Sequence, residues 1–134
     1  MSNILPRVLI KRAFADILVE ELNANLIEEP FTTGVLEEVQ IMMPEMTEEY
    51  TRLSLNSSKL VANLSITFDI FSKLNESGVH QLIYQIMKIP ASHPKLSKFK
   101  LTEIYPSNSF TNYGLSASDG HVEGQVVLTM KYLF

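Results

Sequence analysis

Three histidines and two pairs of adjacent glutamates are the residues here whose types could do acid–base or metal chemistry. His80, His93 and His121 are scattered along the chain. None has the i, i+4 spacing and acidic companion that would turn two imidazoles toward one zinc ion. Solvated or hydrogen-bonded rings are the expectation for all three. The glutamates stand as Glu37-Glu38 and Glu48-Glu49. Neighbours on a strand point to opposite faces, so neither pair can act as acid and base on one substrate. Gly114-Leu115-Ser116-Ala117-Ser118-Asp119-Gly120 is glycine-bounded but lacks the lysine and following helix of a phosphate cradle, and reads as a hairpin turn. With no cysteine there is no thiolate nucleophile, disulfide or thiolate metal site. A Gly-x-Ser-x-Gly elbow and a dinucleotide fingerprint are also absent from the sequence. No catalytic residue, cofactor or metal is therefore expected. The six methionines serve as core filler, or, for Met42 and Met43 beside Met46, as adaptable contact surface.

The length of 134 residues predicts a single domain over 1–134. A hydrophobic share of 46% with 19% charged residues is that of a folded chain rather than a disordered one. The N-terminus lacks a signal peptide's basic head, and no apolar run nears the ~20 residues that cross a bilayer. The expectation is a soluble protein that folds in a cytoplasm. Charge is uneven: 28–49 carries only glutamates, whereas 52–100 is mostly basic. Either these are solvated faces, or an acidic edge of one copy meets a basic edge of the next. The lysines are spread over separate elements without interleaved aromatics, which disfavours nucleic-acid binding.

Around these residues the elements are legible from periodicity. Helical spacing over 3–25 is marked by Leu9 or Ile10, Phe14, Ile17, Leu18 and Leu22. Pro6 suits the first turn, Ser2 or Asn3 the cap, and Asn23 or Asn25 the stop. A strand over 35–43 faces Val39, Ile41 and Met43 one way, and Pro44 closes it. The stretch 44–58 reads as a long mobile hairpin loop. Ala62, Leu64, Ile66, Phe68 and Ile70 alternate with Asn63, Ser65, Thr67 and Asp69, predicting a strand buried on one face and polar on the other. The polar face is either solvated or shared between subunits. A second helix follows, capped by Asn75 or Ser77, with Val79, Leu82, Ile83, Ile86 and Met87 as its stripe. Residues 98–105 form a strand with Phe99 and Leu101 inward, and Phe110 starts a short continuation. After a turn at 118–120, the last strand, 121–134, buries Val122, Val126, Leu128, Met130, Tyr132 and Phe134. The order α-β-β-α-β-β predicts an α+β fold, a four-stranded antiparallel sheet with two helices packed on one face.

This layout resembles the tail terminator proteins of long-tailed bacteriophages. The carrying residues are Leu64-Ser65-Ile66-Thr67-Phe68-Asp69-Ile70-Phe71-Ser72 running into a short polar turn, Ile89-Pro90 after the second helix, and Asp119-Gly120-His121 before Gln125-Val126-Val127-Leu128-Thr129-Met130-Lys131-Tyr132. A position often held by tryptophan in that family is Phe71 here. The resemblance implies a virion protein, assembled in the host cytoplasm. It would form a hexameric ring that caps the tail tube, ends its polymerisation and joins the head connector. The implied partners are further copies of itself, the tail tube protein and the head connector, with no membrane. No sequence-specific nucleic acid is expected, though DNA would pass through the ring. In that setting Glu45, Glu48, Glu49, Tyr50 and Arg52 would form a partner-binding loop. Asn63, Ser65, Thr67, Asp69, Lys73 and Lys131 would form the subunit interface. Glu48→Lys with Glu49→Lys is expected to weaken assembly and leave the fold intact. The alternatives are another neck or tail completion protein of the same fold, a small cytoplasmic ligand- or peptide-binding module, and an enzyme built on scattered carboxylates.

Overall fold

The computed structural model describes residues 5–27, 38–56, 58–114 and 121–133. Two helices and five strands follow in the order α1 (Pro6–Asp16), β1 (Asn25–Leu26), β2 (Gln40–Arg52), β3 (Leu60–Ser72), α2 (Glu76–Met87), β4 (Glu103–Gly114) and β5 (His121–Leu133). The class is α+β, as expected, but the sheet is five-stranded and mixed. Its order is β1-β2-β3-β5-β4, with β1 parallel to β2 and every other pair antiparallel. The two-residue β1 is too short to leave a periodic signal, which is why the pattern predicted four strands.

The alternation in β3 is the frame of the molecule. Ala62, Leu64, Ile66, Phe68 and Ile70 are fully buried. On the adjoining β5, Val122, Val126, Leu128, Met130 and Tyr132 face the same way and are buried with them. Both helices cover that face. Phe14 of α1 meets Phe68 edge-on with ring centroids 5.7 Å apart. The stripe of α2 (Val79, Leu82, Ile83 and Ile86) joins the same core. Gly124 of β5 lets α2 come close, since a Cβ there would lie 2.5 Å from Ile83 Cδ1 and 3.1 Å from Val79 Cγ1.

The helix ends follow local chemistry. Pro6 opens α1, where a missing N–H costs nothing. The helix continues past Asp16 as a π-turn over Ile17–Glu21, closed by Leu22 N–H donating to the Ile17 carbonyl at 3.1 Å. Asn23 then takes a left-handed conformation (φ 52°), the stop expected of asparagine. Leu5 occupies the cap position without a side-chain bond, and Ser2 and Asn3 lie outside the described residues. Asn75 caps α2, its Oδ1 accepting from Gly78 N–H at 2.9 Å.

Four expectations are corrected. Pro44 does not end its strand, because β2 runs through it to Arg52. The ladder absorbs the proline in a bulge: Met42 pairs with Asp69 but Glu45 pairs with Thr67, one extra residue on β2. The loop predicted over 44–58 is therefore strand up to Arg52, paired with Leu60. Residues 98–105 are not one strand: a 3-10 turn at Ser97–Phe99 and a left-handed Lys100 (φ 54°) precede β4. Leu101 is buried as expected and Phe99 is half-buried against the core. Finally, the strand expected to end at 105 and to resume at Phe110 is continuous: β4 runs through Pro106 and carries a second bulge, between Pro106 and Asn108. The turn expected at 118–120, residues 35–37 of the second segment, and Phe134 lie outside the described residues.

Candidate interaction site on the open sheet face

The helices cover one side of the sheet and leave the other open. On β3 that open side carries Asn63, Ser65, Thr67 and Asp69, four of the six predicted interface residues, each half-buried between neighbouring strands. Alternation alone placed them there, and the structure joins them to neighbours the sequence could not identify. Ser65 Oγ lies 2.9 Å from Thr129 Oγ1, which donates to Ser107 Oγ at 2.8 Å. Ser107 Oγ in turn donates to the Val127 carbonyl at 3.3 Å. Thr129 has one proton and gives it to Ser107, so Ser65 must donate to Thr129. This directed relay crosses β3, β5 and β4. One row away, Gln125 Nε2 donates to Asp69 Oδ1 at 2.8 Å. Lys131 shares the face and reaches Glu103 of β4 at 3.6 Å. Lys73, in the bend after β3, is outside the ladder.

The five residues predicted as one partner-binding loop separate. The bulge at Pro44 reverses the parity of β2, so Glu45, Thr47 and Glu49 pair with Thr67, Ser65 and Asn63 on the open side. Glu48, Tyr50 and Arg52 pair with Leu64, Ala62 and Leu60 on the helix side. Glu48 is thus no free loop residue: its side chain is 1% exposed. Its carboxylate accepts from the hydroxyls of Tyr50 and Tyr132 and faces Arg7 Nη1 at 3.4 Å. Burial, then the bond to Glu48, pushes the Tyr132 hydroxyl well above the usual tyrosine range. The same carboxylate raises Tyr50. This clasp ties the start of α1 to the hairpin. At the hairpin's end two apolar residues, Leu53 and Leu55, are exposed, the latter to 90%.

The remaining titratable groups stay apart. His80 Nε2 lies 3.1 Å from the Tyr113 hydroxyl, and the His121 ring lies 5.2 Å from that of Phe71. His93 Nε2 meets Glu21 Oε1 at 2.9 Å, while its Nδ1 accepts from Lys95 N–H at 3.0 Å. An accepting Nδ1 leaves the proton on Nε2, so the neutral ring donates to Glu21. Lys95 Nζ holds Glu20 at 2.8 Å, and that carboxylate raises the lysine. Glu38 accepts from Asn25 and, at 3.2 Å, from Gln40 Nε2; Glu37 lies outside the described residues. Among the described residues no three His, Cys, Asp or Glu side chains gather closely enough to hold a metal.

Charge does not divide between the two sheet edges. The β2 edge is acidic on its open side, with Glu45 and Glu49, but β4 carries no charge from 104 to 114. The basic residues at 88–100 lie instead in the connection between α2 and β4. Met42 and Met43 line a groove of about 700 Å³ with Val8, Ala15, Leu26 and Pro44, and Met43, like Met46, packs against the core. Among the described residues no helix is long and apolar enough to cross a membrane. No protein-family model matches the chain, and no curated protein matches it.

Proposed function

We propose that this chain is a structural subunit of a bacteriophage virion. Copies close into a ring, a hexamer, that caps the tail tube, ends its polymerisation and offers a surface to the head connector. The reading rests on the resemblance of element order, and one observation carries it further. Along β3 the open side of the sheet presents a hydrogen-bonded polar row, uncharged from Asn63 to Thr67, with Lys131 and Glu103 in the row of Asn63 and Asp69 at the other end. A surface of this kind suits a seam or a channel wall, where direct and water-bridged hydrogen bonds join copies without burying unpaired charge. Glu45 and Glu49 on the same side, at the β2 edge, supply the polar rim.

The competing reading, a small ligand- or peptide-binding module, is favoured by the groove between α1 and the β2 bulge, which has an apolar lining and two cations, Lys11 and Arg12. The two readings separate by native mass spectrometry over a range of concentrations with negative-stain imaging of the same samples. A closed ring with a central hole is the expected result. Absence of any ring, both alone and with purified tail tubes supplied as template, overturns the proposal.

A further inference from the structure

Among the described strands, the outer edge of β4 is the least guarded. Edge strands are ordinarily blunted by charge, proline or bulges, because their free N–H and C=O groups accept another strand. On β2 those devices are present: Pro44 with its bulge, then Glu45, Glu49 and Arg52. On β4 the proline and bulge come early, at 106–108, and the seven residues that follow, 108–114, contain no charge and no proline. Among the described residues no strand pairs with that edge. Both of its sides present half-exposed aromatics: Tyr105 (41%) and Phe110 (50%) on the open side, Tyr113 (45%) on the helix side.

The sequence of this stretch is complementary to itself. Ser107-Asn108-Ser109-Phe110-Thr111-Asn112-Tyr113 is nearly a palindrome of residue types about Phe110. Two copies of one strand, laid antiparallel around a two-fold axis, pair residue i with its mirror about a central residue. The centre must be a residue, so that paired side chains share a face. Centred on Phe110, the pairing sets Phe110 against Phe110, Ser109 against Thr111 and Asn108 against Asn112. Ser107, in the bulge and bonded to Thr129 on the open side, falls outside this register. Each of the pairs about Phe110 is uncharged and matched in type, the self-complementarity that an isologous two-fold contact requires. Ser107 and Ser109 already direct their hydroxyls inward to β5 carbonyls, leaving the exposed amides of Asn108 and Asn112 for the partner strand. Self-pairing of β2 about Thr47 would set Glu45 against Glu49, like charge against like.

We propose that the outer edge of β4 binds the same edge of a second copy of this chain, antiparallel and centred on Phe110, so that two sheets become one. This contact is separate from the ring reading and stands or falls alone. The test uses the full chain in sedimentation velocity, with hydrogen exchange at low and high concentration. A reversible dimer is expected, in which every second amide over 107–113 slows only at high concentration. Asn108→Lys with Asn112→Lys puts two like-charged pairs across the axis and should raise the dimer dissociation constant at least about tenfold. Asn108→Glu with Asn112→Glu should do the same, and an equimolar mixture of the two variants should restore dimers. A wild-type chain that stays monomeric overturns the proposal. So does an oligomer, ring included, whose β4 amides exchange as in the monomer; that outcome leaves the tail reading intact. A β4-paired dimer that never closes a ring on tail tubes supports this contact and sinks the tail reading.

Discussion

Glu48 shows how far one residue's role depends on which face it occupies. Its carboxylate collects two tyrosine hydroxyls and a guanidinium while almost closed to water. Glu48→Lys would leave both hydroxyls without their acceptor and set an ammonium against Arg7. We expect a loss of about 2–4 kcal/mol, read by urea denaturation. Glu49→Lys, on the open side, should stay within about 0.5 kcal/mol of wild type. Glu48→Lys with Glu49→Lys would therefore unfold part of the population rather than spare the fold, so Glu49 is the residue to change when probing assembly. The clasp also sets a pH dependence. Folding raises the hydroxyls of Tyr132 and Tyr50 above their unfolded values, so the native state favours the protonated phenols. That stability is complete below about pH 10, the unfolded tyrosine value, and falls as pH rises beyond it. Denaturation midpoints should decline above about pH 10, and Tyr132→Phe should flatten most of that decline.

At the scale of elements, the close seat of α2 on β5 is set by Gly124. Gly124→Ala puts a Cβ against the Ile83 terminal methyl, which can swing aside, so we expect about 1–2 kcal/mol of destabilisation. That Cβ also lies 3.1 Å from Val79 Cγ1, and Gly124→Val adds two methyl groups beyond it and should cost more than twice as much. Pairing Gly124→Ala with Ile83→Val should recover part of the loss; thermal melts of the four proteins close the cycle. Elements with an unbroken period were legible in the sequence. β3, β5 and α2 each repeat one face without interruption, and the cap at Asn75 and the stop at Asn23 follow from side-chain chemistry within a few residues. β2 and β4 were misread at their prolines. Each lies at or near a sheet edge, where a bulge can take in a residue that lacks an N–H, and local sequence does not reveal that position in the sheet.

For the whole molecule, the open sheet face is where the proposed assembly can be broken without harming the fold. Thr67 is half-buried on that face, midway along β3. Thr67→Arg should abolish rings in negative stain while shifting the melting midpoint by no more than a few degrees. A ring that forms as well as wild type would move the seam off this face. The class α+β, the helix-covered and polar sides of β3 and β5, and the absence of thiol chemistry were all determined by sequence alone, because each depends on residue type and local period. The partners were not. Which hydroxyl Ser65 meets, that Arg7 reaches Glu48 across the chain, and that β4, uncharged from 104 to 114, ends the sheet depend on register and strand order. Those are decided by contacts between distant residues, and one extra residue in a bulge reverses a face that alternation alone assigns with full consistency.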